Sequence, residues 1–349
     1  LLYYIGHYLA EWFGPFRLLT SHIFLGGIGV LLCWGLSFTL LPRFMYKLPT
    51  DRGREFAIDA KKSIGKPTGA GIIFISLFLI VQLMVLPLNF ELLAILLFTC
   101  LAMLSGWFDD KSDMAWGRAL KGSIDLGLCI ATMLVITQLE PIQIWFPFSK
   151  ITWMAPAWVT LPCGTVLIWV AINSTNCSDG VDGLSGTLMT LALTALGSIM
   201  YFILGHAEIS TYLLLPHYSD GAVWAIMAFS MVGTLIGYLW YNAYPSILLM
   251  GDAGSRAIGY LLGVFIVQSG NPFLIFIVSG VLLINGGTGL IKVALLAFFK
   301  IAIFKNIRFP LHDHVRHNHG WSASQVLMRF SILQVMLTII LLMLLIKIR

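Results

Sequence analysis

Apolar residues in this chain neither alternate nor fall in short clusters; they come in long runs. Ten such stretches can be drawn, at 19–41, 69–88, 91–108, 123–139, 157–173, 184–205, 221–241, 255–270, 273–299 and 325–346. A helix needs about 20 apolar residues to cross a bilayer, and these runs lack the two-residue alternation of membrane barrel strands. The pattern predicts an all-α polytopic membrane protein with about ten transmembrane helices. No repeat of fixed period and no linker interrupts it, so residues 1–349 are expected to form a single integral membrane domain. Residues 1–18 are short, aromatic and broken by Gly14-Pro15, and either lie at the interface or begin the first span. Between the fourth and fifth stretches, 140–156 alternates and is rich in aromatics, which predicts a small β-hairpin. The ninth stretch contains Asn285-Gly286-Gly287-Thr288-Gly289 and then Lys292. Each glycine weakens a helix by about 1 kcal/mol relative to alanine, so this segment should bend or admit a close neighbour.

Composition sharpens the class. Of 349 residues, 58% are hydrophobic and 11% charged, with a mean hydropathy of +0.90. A soluble domain carries about 25% charged residues, so a water-covered globule is excluded. The net charge of +5 has a topological explanation that leaves no role for nucleic acid. Of the 21 Lys and Arg residues, 16 lie in or beside the connections 42–68, 109–122, 174–183, 242–254 and 300–324. The positive-inside rule makes that set cytoplasmic and puts both termini outside. Cys33, Cys100, Cys129, Cys163 and Cys177 lie mostly inside apolar runs without metal-ligand spacing, so neither a zinc site nor a disulfide framework is expected. The first residues lack a basic region and a small-residue cleavage site, so no removable signal peptide is expected.

The same connections hold the unusual polar residues. Asn173 to Gly183 sets Asn173, Asn176, Asp179, Asp182 and two glycines between two apolar runs; its plainest alternative is a solvated loop. Asp109-Asp110 close the third span. Neighbours on a helix point about 100° apart, so one carboxylate should face a site while the other orients or caps. Asp252 sits between two glycines before the eighth span, placed either to cap that helix or to meet a phosphate at its start. Asn242 lies upstream of it, and His312-Asp313-His314 follows Pro310-Leu311. Gly65-Lys66-Pro67-Thr68-Gly69-Ala70-Gly71 opens the second span and lacks the order of a Walker loop; its alternative is a turn with topogenic charge from Lys61, Lys62 and Lys66. One face thus gathers carboxylates, amides, histidines and lysines. Carboxylates held together repel, which raises their pKa unless a cation neutralises them, and oxygen ligands without thiolates suit magnesium or manganese. A metal with cationic side chains and glycine-rich helix starts suits a pyrophosphate, and a site at the membrane surface suits a lipid co-substrate.

Order and spacing in four of these loops resemble the polyprenyl-phosphate N-acetylhexosamine-1-phosphate transferases, from about residue 42 to the C-terminus. The resemblance is carried by Phe108-Asp109-Asp110, by Asn173-x-x-Asn176-x-x-Asp179-Gly180-x-Asp182-Gly183, by Asn242-x-x-Pro245 with Met250-Gly251-Asp252-x-Gly254-Ser255, and by Pro310-Leu311-His312-x-His314. Gly320-Trp321-Ser322, Gln325-Val326 and Arg329-Phe330 complete it. The Pro-Leu-His and Gly-Trp-Ser segments favour the muramoyl branch. The resemblance implies transfer of phospho-MurNAc-pentapeptide from UDP-MurNAc-pentapeptide to undecaprenyl phosphate with Mg2+, giving lipid I and UMP. It implies a bacterial inner-membrane location, a cytoplasmic-face site, and leaves a homodimer open. By position, Asp252 resembles the metal-binding aspartate, with Asp179 as a second metal candidate. Asp109, Asp110, Asp252 and His312 would be catalytic. Asn173, Asn176, Asp179, Asp182, Asn242, His314, Lys121 and Lys66 would bind substrates. The chain departs from the pattern at Asp113 (usually lysine), at Leu249 (usually aromatic), at Asp313 within the histidine run, and at Asn285 and Lys292 (usually Glu and Gln). The competing readings are a GlcNAc-1-phosphate transferase of the same superfamily and, in another class, an ion-coupled transporter.

Overall fold

The computed structural model describes residues 1–53, 63–114, 116–146 and 151–347. Arg54, Lys61, Lys62, Lys150 and Arg349, used above to orient the chain, lie outside the described residues. The chain forms helices α1 (Leu2–Leu9), α2 (His22–Phe44), α3 (Gly71–Val85), α4 (Phe90–Lys111) and α5 (Arg118–Thr137). Strands β1 (Ile142–Trp145) and β2 (Thr152–Ala155) follow, then α6 (Ala157–Ser178), α7 (Leu184–Ser198), α8 (Ala207–Tyr212), α9 (Gly221–Asn242) and α10 (Gly251–Gln268). The C-terminal part is α11 (Leu274–Leu282), α12 (Thr288–Phe299), α13 (Leu311–His319) and α14 (Ala323–Lys347). Residues 1–18 therefore make a separate short helix and part of a 3-10 turn (Gly14–Thr20), not the start of a span.

Among the described residues, eight helical stretches are long and apolar enough to cross a membrane. The other two expected spans are α3, only 15 residues long, and α10, which carries Asp252 and Arg256 and is too polar to stand in lipid. It does not stand in lipid, since every residue from Gly251 to Ile266 is buried by its neighbours. Small residues make that possible. A Cβ at Gly71 of α3 would strike the backbone of Gly254, and one at Gly106 of α4 the backbone of Asp252. On another side, Gly259 and Gly263 press against Ala171, Ile172 and Ile168 of α6. Small residues let helix backbones approach closely where no hydrophobic force separates protein from solvent.

Helix α5 lies against α10 through two charged rungs. Lys121 donates to Asp252 at 2.9 Å, and one turn further Arg256 donates to Asp125 at 2.6 and 3.2 Å. Both rungs join residues 131 apart in sequence, so the two helices run parallel in register. Arg256 was counted above with the topogenic loop charge. In the fold it is instead 2% exposed inside the bundle, its charge answered by Asp125.

Several boundaries move outward from the apolar edges. Helix α6 continues to Ser178, so Asn173 and Asn176 stand on a helix and only Asp179 to Gly183 form the break. Asp109 and Asp110 are in the last turn of α4, Lys121 in the first turn of α5 and Asp252 in the first turn of α10. Polar residues ended the apolar runs, but backbone hydrogen bonding carries each helix on where the neighbours are protein. The hairpin is present, with Ile142 opposite Ala155 and Trp145 opposite Thr152. Trp145 fastens it to the far end of α10 through Gly270 O at 3.0 Å and Ser269 O at 2.8 Å. The ninth stretch bends as expected: Ser279 leaves helical geometry, and Leu283–Gly287 forms a π-turn in which Gly286 meets the Ser174 carbonyl.

Breaking a buried ion pair by removing one partner costs about 3–5 kcal/mol, whereas an apolar replacement of both is often neutral. Asp125→Leu and Arg256→Met should each lower the thermal unfolding temperature of the detergent-solubilised protein strongly, and the double variant should recover most of the loss.

Candidate functional site

The N-terminus of α10 is the centre of the polar face. A helix leaves its first N–H groups unsatisfied, and here they are buried. The Asp110 carboxylate, from the last turn of α4, accepts from the Asp252 N–H at 2.9 Å and the Ala253 N–H at 3.0 Å. Gly251 enters the helix at φ +67°, and a Cβ there would collide with that carboxylate and with Gly69. Behind it, the segment after Lys66 is laced to the strand-like approach to α10. Leu249 N–H donates to Pro67 O, Ala70 N–H to Leu249 O, and Gly71 N–H to Met250 O, at 2.8–3.0 Å. The glycine-rich stretch is thus scaffold for the start of α10, and Leu249 is placed by its backbone.

Asp109 points to the other side of α4. Its Oδ1 accepts from Trp116 N–H at 2.6 Å and its Oδ2 contacts Lys121 Nζ. The same ammonium lies 2.9 Å from Asp252 Oδ2, while Asp252 Oδ1 accepts from Asn176 Nδ2 at 2.9 Å. Asn176 Nδ2 also donates to Ser255 Oγ at 3.0 Å. Asp109 is 8% and Asp252 6% exposed. Two carboxylates, those of Asp109 and Asp252, therefore meet one ammonium. The adjacent aspartates divide the work as their helix spacing implies, and Asp110 positions α10 with both oxygens.

A second knot stands beside the first. Asp182 accepts from Ser246 N–H at 3.0 Å and Ser246 Oγ at 2.8 Å, and Lys66 Nζ reaches Ser246 Oγ at 3.0 Å and Asp182 at 3.7 Å. Asn242, buried, accepts from Gly183 N–H and donates to Leu248 O, both at 2.8 Å, and so ties the α6–α7 break to the approach to α10. On the third side, the His312 N–H donates to Asn285 Oδ1 at 2.9 Å, and His312 Nδ1 lies 3.1 Å from the same oxygen. A Cβ at Gly180 would meet the His312 ring, so the π-turn, α13 and the α6–α7 break close on one another there.

The remaining expected residues sit further out. Asn173 donates to Trp169 O of its own helix, Asp179 closes the C-terminus of α6, and His314 accepts from Arg308 N–H at 3.3 Å. The carboxylate that shares a cation with Asp252 is Asp109, which the sequence had not selected as a metal candidate. Asp125 and Arg256 were also missed; a shared four-residue spacing to Lys121 and Asp252 was the available signal. Three departures from the family pattern have structural partners: Asn285 accepts from the His312 N–H, Asp113 pairs with Arg52 at 2.8 Å, and Lys292 donates to Phe304 O and Ile307 O at 2.9 Å.

Among the described residues no three His, Cys, Asp or Glu side chains converge as a ready metal cage. Magnesium does not require one, taking one or two carboxylates and completing its shell with phosphates and water. Oxygen donors, surplus negative charge and two carboxylates aimed at one cation position fit that ion.

Comparison with known proteins gives one family match and three relatives. The profile of glycosyl transferase family 4 matches residues 92–270. Phospho-N-acetylmuramoyl-pentapeptide-transferase of Treponema pallidum (strain Nichols) is 47% identical over 345 residues, covering 98% of this chain and 95% of the relative. The proteins of the same name from Borrelia hermsii and Campylobacter curvus are 32% identical over 289 residues and 28% identical over 357 residues. These alignments cover 80% and 97% of this chain, and 81% and 98% of the relatives.

The cap assignment separates Asp110 from Asp109. Losing a capping acceptor costs about 0.5–2 kcal/mol, and asparagine retains one acceptor oxygen. Asp110→Ala should lower the unfolding temperature clearly, Asp110→Asn much less, and Asp109→Asn should leave the cap intact; thermal melts of the three variants check this.

Proposed function

The chain belongs to glycosyl transferase family 4 and, within it, to the phospho-N-acetylmuramoyl-pentapeptide-transferases; on that footing we propose that it transfers phospho-MurNAc-pentapeptide from UDP-MurNAc-pentapeptide to undecaprenyl phosphate, giving lipid I and UMP for peptidoglycan synthesis. The observation that carries the reading is the meeting of Asp109, Lys121, Asn176 and Asp252 at the ends of four helices, where a membrane lipid's phosphate and a water-borne pyrophosphate can both arrive.

Phosphoryl transfer depends on positioning and on neutralising charge. Asp252 would hold Mg2+, with Asp109 facing the same position; Asp179, at the end of α6, would stand on the nucleotide side. When bound, the ion neutralises charge on the pyrophosphate and steadies the departing UMP. Asp109 Oδ1 stays on the Trp116 N–H, which leaves the lone pair of Oδ2 that is not turned to the cation to take the last proton of the lipid phosphate. The freed phosphate oxygen then bonds to the β-phosphorus of the nucleotide sugar, and the bond from that phosphorus to the UMP oxygen breaks. Asp110 keeps α10 seated, Asn176 orients Asp252, and Asp182 with Lys66 and Ser246 shapes the wall towards the nucleotide. His312, held by Asn285, would meet the substrate from the side of α13. The excess of basic residues on this face supports a cytoplasmic site with both termini outside.

Purified protein with Mg2+, undecaprenyl phosphate and UDP-MurNAc-pentapeptide should release UMP and form a lipid product; UDP-GlcNAc should not replace the muramoyl substrate. Inverted membrane vesicles should turn over added nucleotide and right-side-out vesicles should not. Turnover of UDP-GlcNAc alone, or UMP release without any lipid acceptor, would overturn the one-step muramoyl reading.

General-base help is worth about 10²–10⁴-fold, and a phosphate monoester loses its second proton unaided near pH 6. Asp109→Asn should therefore be most impaired at low pH and recover partly as pH rises through about 6–7. A pH–rate profile of the variant checks this, with nucleotide-sugar binding unchanged.

A further inference from the structure

We infer that Lys121 is an exchangeable occupant of the cation position: its ammonium holds Asp109 and Asp252 together while no metal ion is there, and it leaves when one binds. The inference rests on the reading of Asp252 as a metal ligand and deepens it. Each carboxylate has one oxygen committed elsewhere, Asp109 Oδ1 to the Trp116 N–H and Asp252 Oδ1 to Asn176. The two remaining oxygens, both Oδ2, converge on Lys121 Nζ. That is the point a shared cation would take, and an ammonium cannot stay there beside a divalent ion.

The side chain is suited to leaving. A lysine is a compact point charge on a flexible four-carbon stem, and this one is 27% exposed, unlike the carboxylates it joins. Helix α5 need not move with it, because Asp125 and Arg256 pin the next turn of α5 to α10 independently. The exchange has two consequences. In the empty state Lys121 keeps two buried carboxylates from standing unneutralised. Once released, the ammonium is free to meet an incoming phosphate, so metal and nucleotide should each favour the other's binding; such coupling is reciprocal.

The test uses the full chain in lipid nanodiscs, with Mn2+ as the probe ion and its free concentration read by electron paramagnetic resonance. Lys121→Met should bind Mn2+ at least tenfold more tightly than wild type, and UDP should strengthen Mn2+ binding in wild type but much less in the variant. A chelator should lower the unfolding temperature of Lys121→Met more than that of wild type, with Mg2+ restoring it. In the wild type itself, Mg2+ should speed acylation of Lys121 by an amine reagent, measured by mass spectrometry, which decides the matter even if the variant does not fold. Unchanged Mn2+ affinity in Lys121→Met, or Lys121 labelling that Mg2+ leaves alone or slows, overturns the exchange. Asp252→Asn with wild-type Mn2+ affinity would instead remove the metal reading on which it rests.

Discussion

The structure depends on starting a helix inside protein. The first turn of α10 is buried, its N–H groups have no water to turn to, and Asp110 supplies the acceptor from another helix. That one cap fixes α4 against α10, requires Gly251 and Gly69 where side chains would intrude, and turns the neighbouring Asp109 about 100° away. Asp109 then meets Lys121 and, through it, Asp252. The acidic pair thus holds the scaffold with one residue and serves the polar site with the next.

Around that cap the bundle solves a solvation problem. A helix with Asp252 and Arg256 is too polar for lipid, so it is surrounded; glycines and alanines let α3, α4 and α6 reach its backbone, and Asp125 answers the buried guanidinium. Intramembrane charge is tolerated where it pairs with protein groups and faces the bundle interior. The two charged rungs between α5 and α10 differ in burial. The deeper one is closed on both sides, while the upper one keeps a partly exposed lysine. Rigidity below and freedom above is an arrangement suited to a site that exchanges cations.

The other loops join around the polar site by hydrogen bonds more than by charge. Asn242 joins the α6–α7 break to the approach to α10, Asp182 and Ser246 repeat that link, and Asn285 holds His312 from the π-turn. Amides suit this work because they donate and accept without carrying charge into a low-dielectric region. Residues with the look of chemistry, such as Asn242 and Asp110, are in this structure first of all fasteners. The polar face they fasten is the surface at which a membrane-borne phosphate and a nucleotide sugar would meet.

The apolar runs by themselves determined the class and the number of spans to within the short α3 and the enclosed α10, and the alternation of 140–156 the hairpin; the connections between the runs marked where polar residues gather. Those features follow from transfer free energy and chain order, which are local properties. The motifs also identified Asp109, Asp110, Asn176, Asp182, Asn242, Asp252 and His312 as residues that belong together. Only the tertiary structure decided which does what. Helix ends ran past the apolar edges, because a helix continues wherever protein replaces lipid, and Asn173 and Asn176 moved from loop to helix. Arg256 looked like a topogenic charge until Asp125 was found beside it, and Lys121 gained its place from a helix distant in sequence. A side chain's partner is set by the packing of helices against one another, and that information is spread over contacts that no single stretch of the chain contains.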